Sequence, residues 1–240
     1  MSASATSDSM RYWLVMPAAG SGMRFGDPVP KQYARLCGRT VIEWALAPFV
    51  ADSRCAQAVI AIAAADAHWS RVAAQLPGVE TTAGGARRAD SVRNALRVLS
   101  GRARAQDWVL VHDAARPCLT AADRDRLIER LHAHEVGGLL ATPQADTLKR
   151  AGHDHRVEAT LERGGLWRAL TPQMFRYGPL CAALDSANDA RRSPGDEAQA
   201  FEWLGHHPEL VEGSAANLKI TSASDLALAE ALLAARLAAA

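Results

Sequence analysis

The stretch YWLVMPAAGSGMRFGDPVPKQ, residues 12–32, decides how the rest of the chain is read. An apolar run, Tyr12 to Pro17, breaks off into a turn of small residues, and two cations, Arg24 and Lys31, follow at fixed distances. Small residues leave backbone N–H groups unshielded, so such a turn can close on phosphate oxygens while the cations clamp their charge. Pro28 and Pro30 stiffen the approach to Lys31. The glycines fit neither familiar phosphate loop. Gly20, Gly22 and Gly26 give G-x-G-x-x-x-G, one residue off the dinucleotide fingerprint, and no Gly-Lys-Ser/Thr follows. A dehydrogenase and a P-loop NTPase both lose ground, and a tight βα turn with solvated cations is the bland alternative.

Outward from this stretch, apolar runs at 57–63, 79–83, 108–114 and 137–143 alternate with helical spacing at 40–50, 66–76, 89–99 and 121–134. The runs at 57–63 and 108–112 are apolar nearly throughout, which suits strands covered on both faces. Strand alternating with helix predicts an α/β fold with a doubly wound, mostly parallel sheet, whose ligands sit beyond the carboxyl ends of the strands. Thr120 is the expected N-cap of the 121–134 helix, and Asp90 or Ser91 that of the 89–99 helix. After residue 144 the pattern shortens around Ala151-Gly152 and Gly164-Gly165, which predicts a hairpin arm at about 144–166. Helices resume at YGPLCAALDSAND and DEAQAFEWLG, followed by a strand near ELVEGSAANLKI and a last helix opening at Ser224-Asp225.

A chain of 240 residues holds one sizeable domain, expected over 12–240 behind a polar tail at 1–11. With 49% apolar and 22% charged residues it reads as globular, and its net charge of +1 gives no whole-surface attraction to nucleic acid or membrane. Any anion site is therefore local. Cys37, Cys55, Cys118 and Cys181 form no C-x-x-C pair and read as mostly buried thiols of a cytoplasmic protein. The C-terminal LALAEALLAARLAAA carries Glu230 and Arg236 and is shorter than the roughly 20 residues of a membrane span. The histidine pairs lack H-x-x-x-H spacing, and G-x-S-x-G is absent.

Three further constellations carry chemistry. In VHDAARP, Asp113 stands at a strand's carboxyl end, where a lone carboxylate can hold Mg²⁺ jointly with substrate phosphates; a capping role or an ion pair to Arg116 is the alternative. GGARRADSVRNAL places a glycine turn before a helix, offering backbone groups to a base edge, while Arg87 and Arg88 read equally as a solvent-facing pair. In VEGSAANLKIT, Lys219 lies in or beside a late strand, where a surface lysine is the commoner reading.

PAAGSGMRFGDPVPKQY, GGARRADSV, VHDAARPC, DTLKR, LWRALTPQMF, DEA and VEGSAANLKIT occur in this order, and together they resemble the 2-C-methyl-D-erythritol 4-phosphate cytidylyltransferase family over about residues 12–234. The resemblance implies a Rossmann-like nucleotidyltransferase domain, a β-arm that helps form a homodimer and reaches the neighbouring subunit's site, and a divalent cation, usually Mg²⁺. It implies transfer of CMP from CTP to methylerythritol phosphate with release of pyrophosphate, in the non-mevalonate isoprenoid pathway. By similarity Ala18, Ala19, Gly20, Gly85 and Ser91 line the CTP site, and Arg24 and Lys31 meet its phosphates. Asp113 contacts metal and substrate, and Thr147, Arg163, Thr171 and Lys219 bind or position the sugar phosphate. Gly195 stands where some relatives have threonine, and Ala86 where an acidic residue is common. A cytidylyltransferase for another polyol phosphate, such as ribitol 5-phosphate, and a non-catalytic nucleotide-binding protein are the competing readings.

Overall fold

The computed structural model describes residues 10–20 and 29–239. Its centre is a seven-stranded sheet. In spatial order the strands are β11 (Glu209–Glu212), β7 (Gly137–Pro143), β10 (Trp167–Arg176), β6 (Trp108–Val111), β1 (Tyr12–Pro17), β4 (Cys55–Ile62) and β5 (Val79–Ala83). The pairs β1–β4, β1–β6, β4–β5 and β7–β11 are parallel; β10 runs antiparallel to both its neighbours. The expected mostly parallel sheet is thus present, with one reversed strand. β10 belongs to the core sheet, although its polar–apolar alternation reads in the sequence as a continuation of the hairpin stretch. A short ladder of β2 (Arg35–Leu36) with β3 (Arg39–Thr40) stands apart from this sheet.

Alternate residues along each central strand feed opposite cores. Leu14, Met16, Ile60 and Leu110 pack on one face with Ile42, Leu46 and Phe49 of α1 (Val41–Val50) and Leu127 of α4 (Ala121–Leu131). Val15, Val59, Val109 and Val111 point to the other face, against Val92 and Leu96 of α3 (Arg88–Val98), Leu180 and Leu184 of α5 (Tyr177–Asp189) and Phe201 of α6 (Glu197–Glu202). This is why the strands read as unbroken apolar runs rather than as an alternation. Leu110 is fully buried, and truncating such a leucine to alanine costs about 2–5 kcal/mol.

Thr120 caps α4 as its sequence predicts, accepting from the Asp123 N–H. α3 opens one turn earlier than expected, because Arg87 takes the N-cap position and Asp90 folds back onto it from inside the first turn. α2 (Trp69–Ala73) is shorter than its sequence pattern. The hairpin β8 (Leu148–Ala151) and β9 (Val157–Leu161) falls within 144–166 and pairs with no strand of the main sheet. The last helix, α7 (Ala223–Ala238), is capped by Ser222 and packs Leu233 against Leu36, Trp44 and Ile220. Of the four cysteines only Cys118 is buried; the other three are half-buried and all are free thiols.

The sheet order changes direction at β1: the chain moves to β4 and β5 on one side, then crosses to β6 on the other. A crevice therefore opens between the carboxyl ends of β1 and β6. It falls directly beyond Pro17 and Val111.

Candidate active site

Two clefts meet at this crevice. The first, of about 410 Å³, is lined by Ala18, Ala19 and Gly20 after β1, by Lys31 and Gln32, by Gly85 to Arg88 and Ser91 around the start of α3, and by Asp113 and Lys219. Among its lining residues the cations Lys31, Arg87, Arg88 and Lys219 face Asp113 as the single carboxylate. That imbalance suits a polyanion. The second, of about 220 Å³, is lined by Arg116, Thr171, Gln173, Gly195 and Asp196, and it shares Arg88, Asp113 and Lys219 with the first. These three residues form a common wall.

The first cleft is narrow because two turns touch. A Cβ added to Gly84 would lie 2.2 Å from the Ala19 Cβ, so only glycine lets the β5–α3 turn approach the turn after β1 this closely. Ser91, buried in the first turns of α3, accepts from the Gly85 N–H at 3.0 Å and donates to the Arg87 carbonyl. The Gly85 N–H is therefore spent inside the protein, and the backbone groups this turn offers a base edge are fewer than its sequence suggests.

Asp113 is the centre of charge. Its Oδ1 accepts from Arg88 Nε at 2.9 Å, its Oδ2 pairs with Lys219 Nζ at 2.8 Å, and Arg116 Nε lies 3.6 Å away. Burial pushes the carboxyl up, but Arg88, Lys219 and Arg116 outweigh that and hold it far below the ordinary carboxylate range. Its backbone N–H donates to Thr171 Oγ1 at 3.1 Å, and that hydroxyl contacts His112 Nδ1 at 2.9 Å. Burial pushes the His112 imidazole down to about 4, so it is neutral. With Nε2 facing the Arg116 carbonyl at 3.2 Å, a proton on Nε2 lets Thr171 donate to Nδ1 and leaves every partner satisfied. The Thr171 side chain thus holds the Asp113 main chain, while its residue lines the second cleft.

Arg87 and Arg88 part company. Arg87 is exposed and pairs with Asp90, whereas Arg88 turns inward and forks onto Glu197 at 2.7 and 2.9 Å while holding Asp113. Glu197 is wholly buried; burial raises its carboxyl, and Arg88 offsets that only in part. Arg88, Glu197 and Gln32 are site residues that sequence reading does not single out, whereas the ion pair of Asp113 with Arg116, offered there as the alternative to a metal role, is present. An arginine flanked by another on a predicted helix start gives no signal of which one points in.

Ala18, Ala19, Gly20, Lys31, Gly85, Ser91, Asp113 and Lys219 come together in the first cleft, and Thr171 in the second. Lys219 lies beyond β11 in the segment leading to α7, not in a strand. Arg24 lies outside the described residues. Thr147 and Arg163 stand exposed on the hairpin arm, where Arg163 Nη1 donates to the Ala145 carbonyl, and neither lines the clefts of its own chain. Among the described residues no group of three or more His, Cys, Asp or Glu side chains is placed to hold a metal. Both oxygens of Asp113 are engaged by Arg88 and Lys219, so a divalent cation held there would take most of its ligands from phosphates and water, the set that Mg²⁺ accepts.

A mostly parallel sheet whose switch point carries a small-residue turn, several cations and one carboxylate is built for a polyanionic ligand of the nucleotide class. Comparison with known proteins narrows the class. The family model "IspD: 2-C-methyl-D-erythritol 4-phosphate cytidylyltransferase" matches residues 12–235, and the chain belongs to that family of enzymes. The protein of that name from Halorhodospira halophila is 53% identical over 234 residues, covering 95% of this chain and 96% of its own. Among solved structures, a 4-diphosphocytidyl-2C-methyl-D-erythritol synthase superposes with a TM-score of 0.83 at 37% identity, over 93% of this chain and 99% of the other. The 2-C-methyl-D-erythritol 4-phosphate cytidylyltransferase of Thermus thermophilus gives 0.76 at 30% identity, over 93% and 98%.

Proposed function

We propose that the two clefts divide the family's reaction between them: CTP in the first, 2-C-methyl-D-erythritol 4-phosphate in the second, with transfer across the wall of Arg88, Asp113 and Lys219. A phosphate oxygen of the sugar attacks the α-phosphorus of CTP, the bond to the bridging oxygen breaks, and pyrophosphate leaves with its electron pair. The products are 4-diphosphocytidyl-2-C-methyl-D-erythritol and pyrophosphate. The observation that carries this reading is the shared wall: among the described residues, Arg88, Asp113 and Lys219 are the ones that line both clefts.

The nucleophile arrives already charged, so no base is required. Asp113 is held too far down to accept a proton at neutral pH, and His112 is buried with both ring nitrogens engaged. What the site supplies is alignment and positive charge for like charges brought together. Lys31, with Arg24, meets charge growing on the α-phosphate and the leaving pyrophosphate. Lys219 and Arg88 face both substrates, and Arg116 lines the sugar-phosphate side. Ala18, Ala19, Gly20, Gly85 and Ser91 shape the nucleotide end. Bound by Asp113 and the nucleotide phosphates, Mg²⁺ would supply further positive charge at the transferring phosphorus.

Thr147 and Arg163 sit on an arm apart from the main sheet, where Val157 and Leu166 are exposed. We place them over the second cleft of a partner subunit in a homodimer, since they do not line their own. Four free thiols support a reducing, cytoplasmic setting, and among the described residues no helix is long and apolar enough to cross a membrane.

Pyrophosphate release measured with each of the four nucleoside triphosphates, against methylerythritol phosphate and ribitol 5-phosphate, tests the assignment. Release with CTP and methylerythritol phosphate only is expected; equal rates with ribitol 5-phosphate would move the specificity to another polyol.

A further inference from the structure

We propose that Gln32 is a positioning residue for the nucleotide, acting through the backbone of the turn at Ala18 to Gly20. Lys31–Tyr33 form a single 3-10 turn, and each of its three side chains is tied to a different segment of the chain. Lys31 Nζ donates to the Ile220 carbonyl at 2.9 Å, fastening the segment that carries Lys219. Gln32 Nε2 donates to the Ala18 carbonyl at 2.9 Å and the Gly20 carbonyl at 3.2 Å. The Tyr33 hydroxyl donates to Asp66 Oδ2 at 2.7 Å, and its ring stacks on His68 at 5.1 Å. Asp66 in turn accepts from the backbone N–H groups of His68 and Trp69, so this third anchor is itself rigid.

Among these ties the one made by Gln32 bears on the nucleotide. Ala18, Ala19 and Gly20 have no polar side-chain atoms, so no side chain of these three residues holds their peptide planes. The Ala18 N–H is engaged by the Ala61 carbonyl at 2.7 Å, which pins the start of the turn to β4. Beyond that point, among the described residues, Gln32 restrains the turn: it is only 5% exposed, and its amide has two N–H groups and meets two carbonyls. In a trans peptide the carbonyl and the following N–H point in opposite directions, so holding the Ala18 carbonyl on Gln32 aims the Ala19 N–H away from the 3-10 turn. A glycine-containing turn left to itself samples many such orientations. Gln32 selects one before the nucleotide arrives, which lowers the ordering cost of binding.

Because Lys31 and Gln32 are adjacent, the same short turn also sets the distance between the Lys31 ammonium and the backbone donors. Charge and donors are thereby kept in register.

This inference rests on the first cleft being the nucleotide site. Gln32→Met keeps length and approximate volume while removing both donors, and it is compared with wild type by calorimetric titration with CTP and by steady-state kinetics for both substrates. The expected result is a rise of about tenfold or more in the Kd and KM for CTP, with the KM for methylerythritol phosphate held within about twofold. An unchanged CTP affinity, or equal increases in both KM values, would overturn the role. If Gln32→Met does not fold, Gln32→Asn, which draws the amide back by one methylene, is read by the same split between the two KM values. Failure of wild type itself to bind CTP would instead remove the nucleotide reading of the cleft.

Discussion

The crevice between β1 and β6 and the arm at 144–166 both carry residues assigned to one reaction, yet they are built in opposite ways. In the crevice, Asp113 follows a strand that is buried on both faces, and its carboxylate is bracketed by Arg88 and Lys219 within one chain. On the arm, Thr147 and Arg163 are exposed, on a two-stranded hairpin that the main sheet does not extend. The crevice gathers its charged groups from one chain, whereas on the reading proposed above the arm acts only against another surface. Variants of the charged groups in the crevice should therefore affect turnover, and variants on the arm should affect one substrate.

The largest effect is expected at Asp113. Asp113→Asn leaves Arg88 and Lys219 without their shared counter-charge and removes the carboxylate offered to a divalent cation. Turnover should fall by about 10³-fold, and the Mg²⁺ activation midpoint should rise with it. An unchanged Mg²⁺ curve would drop Asp113 as a metal ligand. Next is Lys31→Ala, for which kcat should fall by about 10²-fold, the scale of losing one oriented transition-state donor. Near-normal kcat with saturating CTP would assign Lys31 to structure alone.

His112 sharpens the same contrast through stability. It stays neutral in the folded chain down to about pH 4, whereas an unfolded histidine takes its proton near the ordinary value of 6.5. Acidification across that interval favours unfolding, costing about 3 kcal/mol in all, and the effect is absent above it. Denaturant titrations at pH 7, 5.5 and 4 should show His112→Gln with a shallower fall than wild type. Parallel slopes would mean that His112 is not the buried neutral group supporting Thr171 and Asp113. The smallest effect belongs to the arm: Arg163→Ala should raise the KM for methylerythritol phosphate by about tenfold and leave CTP binding unchanged, because a guanidinium suits bidentate phosphate capture. Loss of CTP affinity would place Arg163 on the nucleotide side.

Much of the fold is legible in the chain itself. The unbroken apolar runs mark strands covered on both faces, and the small-residue turn after Tyr12 to Pro17 marks where a ligand approaches. Asp113 is visible because a carboxylate immediately after a buried strand stands at a sheet's carboxyl edge. What stays hidden are side chains whose role depends on direction. Arg87 and Arg88 are neighbours of the same type, and only helix phase sends one to solvent and the other to Glu197 and Asp113. Gln32 gives no periodic signal, since its partners are main-chain carbonyls twelve or more residues away. β10 is obscured because its first residues are exposed although they pair with β7, and its register to β7 skips between Ala169 and Gln173, where Thr171 turns towards Asp113.

The shared wall is tested most directly at Lys219, which lines both clefts and is the more exposed of the wall's two cations, at 40% of its side chain against 23% for Arg88. Steady-state kinetics of Lys219→Ala, varying CTP and methylerythritol phosphate in turn, should show kcat reduced by about 10²-fold and both KM values raised. A KM shift confined to one substrate, with kcat preserved, would contradict a common wall and separate the two clefts.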